Sequence, residues 1–243
     1  MRVGAYVDAY NLYYGMRAHC GRGTAGWRWL DIRALLTTLV SERINWPDTQ
    51  LTRVVYCTAA ISARENPSGA FDQDVYLQAL RASGSVDHVE FGRYVARVRR
   101  APLATPDKRG RPELTRPSGP VMVKNAAGAD DPDAVFMVST AYREEKGSDV
   151  NVASLLLIDV LGGHVDAAVI VSNDSDLALP VRAARDRVPV GVVNPGTAYI
   201  AGDLKGRPED GVGRHWWRQL TPADCRDHQL SDPAVGHTRP AGW

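Results

Sequence analysis

An apolar run that breaks off in a doubly acidic turn and then resumes at helical spacing constrains this chain more than any other stretch. The run is Val165 to Val171, short and rich in Val and Ala, which is the composition of a strand buried on both faces of a parallel sheet. Asn173, Asp174, Ser175 and Asp176 follow, and Leu177, Leu179, Val181 and Ala184 then recur at helix-like spacing. Strand, polar turn and helix in that order predict an α/β sheet whose ligands sit outside the carboxyl ends of its strands. Asp174 and Asp176 would stand on that edge. Each also has a purely structural reading, because Ser and Asp cap helices and acids in a first turn complement the helix dipole.

The start of the chain supplies a matching piece. Val3 to Val7 is a small apolar run, Asp8 closes it, and Asn11 stands at the start of the next element. A carboxylate closing an apolar strand is costly unless paired or liganded. Asn11 would hold a carboxylate or phosphate oxygen, or satisfy backbone. Further strands are predicted at 51–60, 86–95 and 189–195, and helices at 30–40 and 68–83. Ser148 reads as a helix N-cap and Asp149 as the first-turn acid of a helix whose body, Val150 to Leu161, is apolar nearly all round and therefore buried. Gly162 and Gly163 stop it.

Asp8, Asp149, Asp174 and Asp176 thus fall at strand C-termini or the adjoining helix start, which in a parallel sheet is one edge. Acids converging without His or Cys make a hard, all-oxygen site suited to Mg²⁺ or Mn²⁺. The chemistry such a site implies is phosphodiester hydrolysis by metal-activated water. The six His are scattered, and no ordered Ser-His-Asp set or Cys nucleophile competes.

Residues 93–124 differ in kind. They carry nine Lys or Arg against two acids, a local excess of +7, and five prolines from Pro102 to Pro120 oppose a helix. The stretch reads as an extended or loop insertion, spanning 93–135, that is either a solvated excursion or a phosphate-contacting flap. Arg97, Arg99 and Arg100 would then touch substrate, with Lys146 and Ser172 as further contacts. Tyr10, Tyr13, Tyr14, Trp27 and Trp29 offer stacking faces, although packing is the commoner fate of such rings. Beyond the strand at 189–195, Gly202 to Gly213 is loop-like, 215–221 reads as an edge strand, and 221–230 as a short helix opened by Thr221 and Pro222. Residues 231–243 read as a loose tail after a single domain over 1–230.

A formal net charge of +1 over 243 residues excludes a uniformly basic nucleic-acid binder but permits a local patch. Cys20, Cys57 and Cys225 form no CxxC, so neither a disulfide framework nor a zinc site is expected, and a reducing cytoplasm fits. The block SLLLIDVLGG is interrupted by Asp159 and too short for a membrane span, and the opening residues carry an acid where a signal peptide needs an apolar run.

VDAYNLYYG at 7–15, EKGSDVNVASLLLIDV at 145–160 and IVSNDSDLALPVRAA at 170–184 together resemble the NYN family of PIN-like ribonucleases, the group that includes LabA-type bacterial proteins. The resemblance implies a doubly wound, mostly parallel α/β fold, a metal-dependent acidic site and nuclease activity on RNA. Carried over position by position, it makes Asp8, Asp149, Asp174 and Asp176 metal ligands and Asn11 their polar partner, these five forming the catalytic set. Ala9 stands where Gly is usual, Asn173 where Gly is common, and the insertion exceeds a minimal member. The expectation is a Mg²⁺- or Mn²⁺-dependent endoribonuclease on single-stranded RNA, with DNA and a homodimer left open. The alternative is a non-catalytic RNA-binding or regulatory protein on the same fold. A phosphatase of the haloacid-dehalogenase type would need a second Asp where Tyr10 stands.

Overall fold

The structure, a computed structural model, describes residues 1–118 and 121–243. Pro120, the last of the five insertion prolines, lies outside the described residues.

The chain alternates strands and helices as its hydrophobic pattern dictates. In order run β1 (Arg2–Asp8), α1 (Ala9–Cys20), α2 (Ile32–Ser41), β2 (Gln50–Ala59), α3 (Pro67–Ala82), β3 (His88–Pro102), β4 (Ala104–Pro106), β5 (Pro112–Leu114), β6 (Met137–Lys146), α4 (Ser148–Leu161) and β7 (Ala167–Val171). A 3₁₀ turn (Ser175–Leu177) then leads into α5 (Ala178–Arg185), followed by β8 (Val190–Asn194), α6 (Gly202–Lys205), β9 (Trp216–Gln219) and α7 (Pro222–Asp227). Seven strands form one sheet in the order β6-β3-β2-β1-β7-β8-β9, with parallel pairing from β3 through to β9.

Strand alternation sends side chains to two apolar layers. Val3, Ala5 and Val7 of β1 pack with Leu12 and Met16 of α1, Leu35 and Leu39 of α2 and Leu80 of α3. Tyr6, Val55 and Cys57 pack on the opposite face with Val152 and Leu156 of α4 and Val181 and Ala184 of α5. Helices on both faces of a mostly parallel sheet are compatible with the doubly wound α/β architecture read from the sequence. Among the described residues no helix is long and apolar enough to cross a membrane.

The chain divides into two compact units, one made of 1–94 and 145–243 and the other of 95–144. The second unit holds the basic stretch partly as strand, in β3, β4 and β5, and partly as turns and loop. Its β4 and β5 pair antiparallel, Leu103 N–H donates to the Phe136 carbonyl at 2.8 Å, and Arg97 forms an ion pair with Glu144. Extended φ suits proline, so the prolines permit these strands where they would break a helix.

Three local expectations are corrected. Gly147, at φ 99°, and not Ser148, caps α4, and the Ser148 amide and hydroxyl both donate to the Glu145 carboxylate. Nor is α4 buried all round: Val152, Leu156 and Val160 face the core, while Val150, Ile158 and Leu161 are exposed, because one helix face meets the sheet. Residues 231–243 pack back rather than hang loose. The Trp243 ring lies 5.5 Å from Tyr76 and 6.4 Å from Trp29, and the Trp29 indole N–H donates to the Ser231 carbonyl.

The charge that interrupts the apolar body of α4 has a partner set. Asp159 is buried, accepts the Tyr6 hydroxyl at 2.9 Å, and lies 2.6 Å from Arg53 Nε. Burial first, and then the charge and hydrogen bond of Asp159, push the Tyr6 phenol well above its ordinary range, while Arg53 opposes the rise. Asp159→Ala should cost about 3 kcal/mol, because it strands the buried Tyr6 hydroxyl and the Arg53 charge. Urea unfolding measures this, and an unchanged midpoint would mean the trio adds nothing.

Candidate functional site

The site grows from the last residue of β1. Asp8 is 2 % exposed, and as the N-cap of α1 it accepts the Asn11 amide N–H at 2.9 Å through Oδ1. The parallel register that sets Val7 opposite Val171 brings Ser172 alongside, and the Ser172 hydroxyl donates to Asp8 Oδ2 at 3.0 Å. The same hydroxyl accepts the Asp174 amide N–H at 3.1 Å. Asp174 Oδ1 in turn accepts the Asp176 amide at 3.0 Å and opens the 3₁₀ turn. Asn11 Oδ1 accepts the Asn173 amide at 3.0 Å, and Asn173 Oδ1 accepts the Ala201 amide at 2.8 Å. The turns after β1 and β7 are thereby laced together.

Electrostatics link these groups to α4. Burial raises the Asp8 pKa, the hydrogen bonds from Asn11 and Ser172 oppose that rise, and Asp174 and Glu145 add to it. Asp149, in the first turn of α4, is pushed up to about 7 by burial first and then by Asp8, Asp174, Glu145 and Asp176. Glu145 is the member that sequence reasoning missed. Its placement depends on Gly92, where a Cβ would come within 2.6 Å of both Glu145 Oε1 and the Lys146 carbonyl.

Asp8, Asn11, Asp149, Asp174 and Asp176 therefore gather on one edge, as their positions at strand and helix ends required. Among the described residues no three His, Cys, Asp or Glu side chains form a group placed to hold a metal ion. Both Asp8 oxygens and one Asp174 oxygen already accept hydrogen bonds. Ser172 is fully buried with its hydroxyl committed, so it is a brace for Asp8 and not the phosphate contact expected of it. Arg97 is held by Glu144, and the Arg99 guanidinium sits 5.1 Å from the Tyr142 ring centre; these two and exposed Arg100 belong to the unit 95–144. Lys146 ends β6 and is exposed.

At the same end of β2, on the face that carries α1 and α3, lies a cavity of about 490 Å³ lined by Tyr13, Trp27, Tyr56 and Tyr76 among others. Tyr10 borders it from the first turn of α1, its hydroxyl pushed up to about 12 by burial, Tyr14, Tyr94 and Glu145. Tyr56 is the β2 neighbour of Val7, one residue before Asp8, so the cavity and the acids occupy opposite faces of one sheet edge.

No family model matches the chain. It is 30 % identical over 211 residues to the 6-hydroxy-3-succinoylpyridine 3-monooxygenase HspA of Pseudomonas putida, an alignment covering 80 % of this chain. The chain spans 60 % of that relative's length. It is also similar, at 15 % identity and a TM-score of 0.45, to a Vibrio parahaemolyticus protein of unknown function, over 90 % of this chain and 92 % of that one. The first comparison corrects the expectation of a metal-dependent ribonuclease. The curated relative is a monooxygenase, an oxidoreductase and not a hydrolase. Acids gathered at a sheet edge do not by themselves specify phosphodiester cleavage.

The raised pKa of Asp149 has a consequence for stability. Folded Asp149 keeps its proton up to about pH 7 whereas the unfolded side chain releases it near 3.8, so this contribution is present below 3.8 and lost as pH rises through 7. Asp149→Asn should therefore unfold later than wild type above pH 7, by roughly 1–2 kcal/mol after allowance for partial exposure, and the gap should close toward pH 4. Denaturant midpoints over that range measure it; identical midpoints at pH 8 would show that Asp149 ionises freely.

Proposed function

We propose that the acidic edge is the proton-transfer centre of an oxidoreductase that hydroxylates a ring, the reaction class named for the Pseudomonas relative. A monooxygenase puts one atom of dioxygen into its substrate and reduces the other to water, two electrons and two protons coming from an external donor. A ring that already bears a hydroxyl becomes more electron-rich when that hydroxyl loses its proton. The required base should titrate near the working pH.

The observation that carries this reading is Asp149, a carboxyl held near pKa 7 among Asp8, Asp174, Glu145 and Asp176. In the proposal Asp149 accepts the ring hydroxyl proton. Asp8, fixed by Asn11 and Ser172, keeps Asp149 basic, and Asp174 and Glu145 reinforce that field. The scaffold we read as an NYN-type one, whose three motifs put these acids on a common edge without dictating the reaction they serve. The electron donor is assigned by class only, as a reduced nicotinamide or flavin.

The test is dioxygen uptake by the purified full chain with 6-hydroxy-3-succinoylpyridine and either donor. Substrate-dependent uptake is expected to rise with pH through about 7 and to fall by roughly a hundredfold in Asp149→Asn, the usual scale for removing a general base. No substrate-dependent uptake with either donor, or a wild-type rate in Asp149→Asn, would overturn the proposal.

A further inference from the structure

Asp8, Glu145, Asp149, Asp174 and Asp176 make the acidic edge a region of like charge that repels a further anion. The substrate class proposed above is itself anionic, since a succinoyl chain attached to a ring ends in a carboxylate. Such a molecule can present its ring hydroxyl to the acids only if a cation holds its other end. The 3₁₀ turn that carries Asp176 packs against both α4 and α6. Val152 and Leu156 of α4, Leu177 of the turn and Leu204 of α6 share one apolar layer, so these elements lie on one face of the sheet. Asn173, one residue before Asp174, ties down the segment that leads into α6: its side-chain nitrogen donates to the Tyr199 carbonyl at 3.2 Å and its oxygen accepts the Ala201 amide at 2.8 Å.

That anchored segment delivers a cation set among rings. Lys205 Nζ donates to the Tyr199 hydroxyl at 2.8 Å and lies 5.4 Å from the Tyr199 ring centre and 5.7 Å from that of Trp217. The two rings meet edge to face with centres 5.8 Å apart. Tyr199 is 66 % exposed and Lys205 is exposed, so both are open to a ligand from solvent. Among the described residues Lys205 has no carboxylate partner. An ammonium in this setting offers charge to a carboxylate and a flat apolar wall to whatever bears it. Other cations are less well placed. Arg17 lines the cavity on the opposite face of the sheet, Lys146 beside Glu145 already has a partner, and Arg182 of α5 meets no ring among the described residues.

We propose that Lys205, flanked by Tyr199 and Trp217, is the anion subsite of the acidic edge and takes the carboxylate of an aromatic keto acid whose ring hydroxyl faces Asp149, an assignment that rests on the oxidoreductase reading above. Lys205 touches a part of the substrate that does not react. It therefore determines specificity: it holds ground state and transition state alike, and its loss raises KM while leaving kcat.

Calorimetric titration of the full chain with 6-hydroxy-3-succinoylpyridine, and with the same molecule carrying a primary amide in place of its carboxylate, reads the subsite without turnover. The acid should bind about tenfold or more tightly than the amide, and added salt should narrow the gap. Lys205→Gln should weaken the acid by about tenfold, leave the amide unchanged and barely move the thermal midpoint, whereas Lys205→Arg should keep most of the preference. Asp149→Asn should still prefer the acid. The proposal fails if neither compound binds, if the two bind alike, if Lys205→Gln binds the acid like wild type or weakens the amide equally, or if Arg17→Gln or Arg182→Gln abolishes the preference instead. Dioxygen uptake with an unchanged KM in Lys205→Gln would remove this subsite and leave the oxidoreductase reading standing. Acid binding that depends on Lys205, with no uptake in wild type, would sink that reading and leave the subsite.

Discussion

A charged group at the end of a buried strand is the constraint around which this protein is arranged. Asp8 lies beneath the surface where β1 stops, and a carboxylate there persists only with donors close by. The Asn11 amide and the Ser172 hydroxyl provide them. Each donor fixes more than the charge: one sets the first turn of α1, the other holds the end of β7 and, by accepting the Asp174 amide, the shape of the turn that follows. A single buried ion thus determines how two crossovers leave the sheet.

Its field reaches further than its hydrogen bonds. With burial and the like charge of Asp8, Asp174, Glu145 and Asp176 around it, Asp149 in the first turn of α4 is the acid pushed up to about 7. Burial and like charge push both Asp8 and Asp149 upward, Asp149 to about 7. Asp8 and Asp174 meanwhile accept hydrogen bonds from Asn11, Ser172 and the 3₁₀ turn.

Much of the fold could be read from the residues because each strand of the edge announces its end. Val3 to Val7 closing in Asp8, and Val165 to Val171 breaking into Asn173 and Asp174, are period changes that local pattern captures. Thr221 and Pro222 likewise opened α7, complete with a reciprocal cap to Asp224. What pattern does not capture is tertiary. Gly147 took the left-handed cap that Ser148 had seemed to fill, because Glu145 claimed both donors of the serine. The apolar circumference of α4 suggested full burial, yet only one face found the sheet. Residues 231–243 looked expendable, but Trp243 reaches the rings of Tyr76 and Trp29. In the site, the acids were legible as edge residues and Glu145 was not, since its role depends on the close approach of Gly92. Residue types fix charge and position, and these do not choose between hydrolysis and oxidation.

The central claim is that these carboxyl groups form one electrostatic unit in which Asp149 holds its proton to neutrality. A carboxyl ¹³C NMR titration of the full chain reads that directly. The account predicts an Asp149 midpoint near 7 that drops by about a unit or more when Asp8 is replaced by Asn. A midpoint near 4 in the wild-type protein, unmoved by Asp8→Asn, would contradict it.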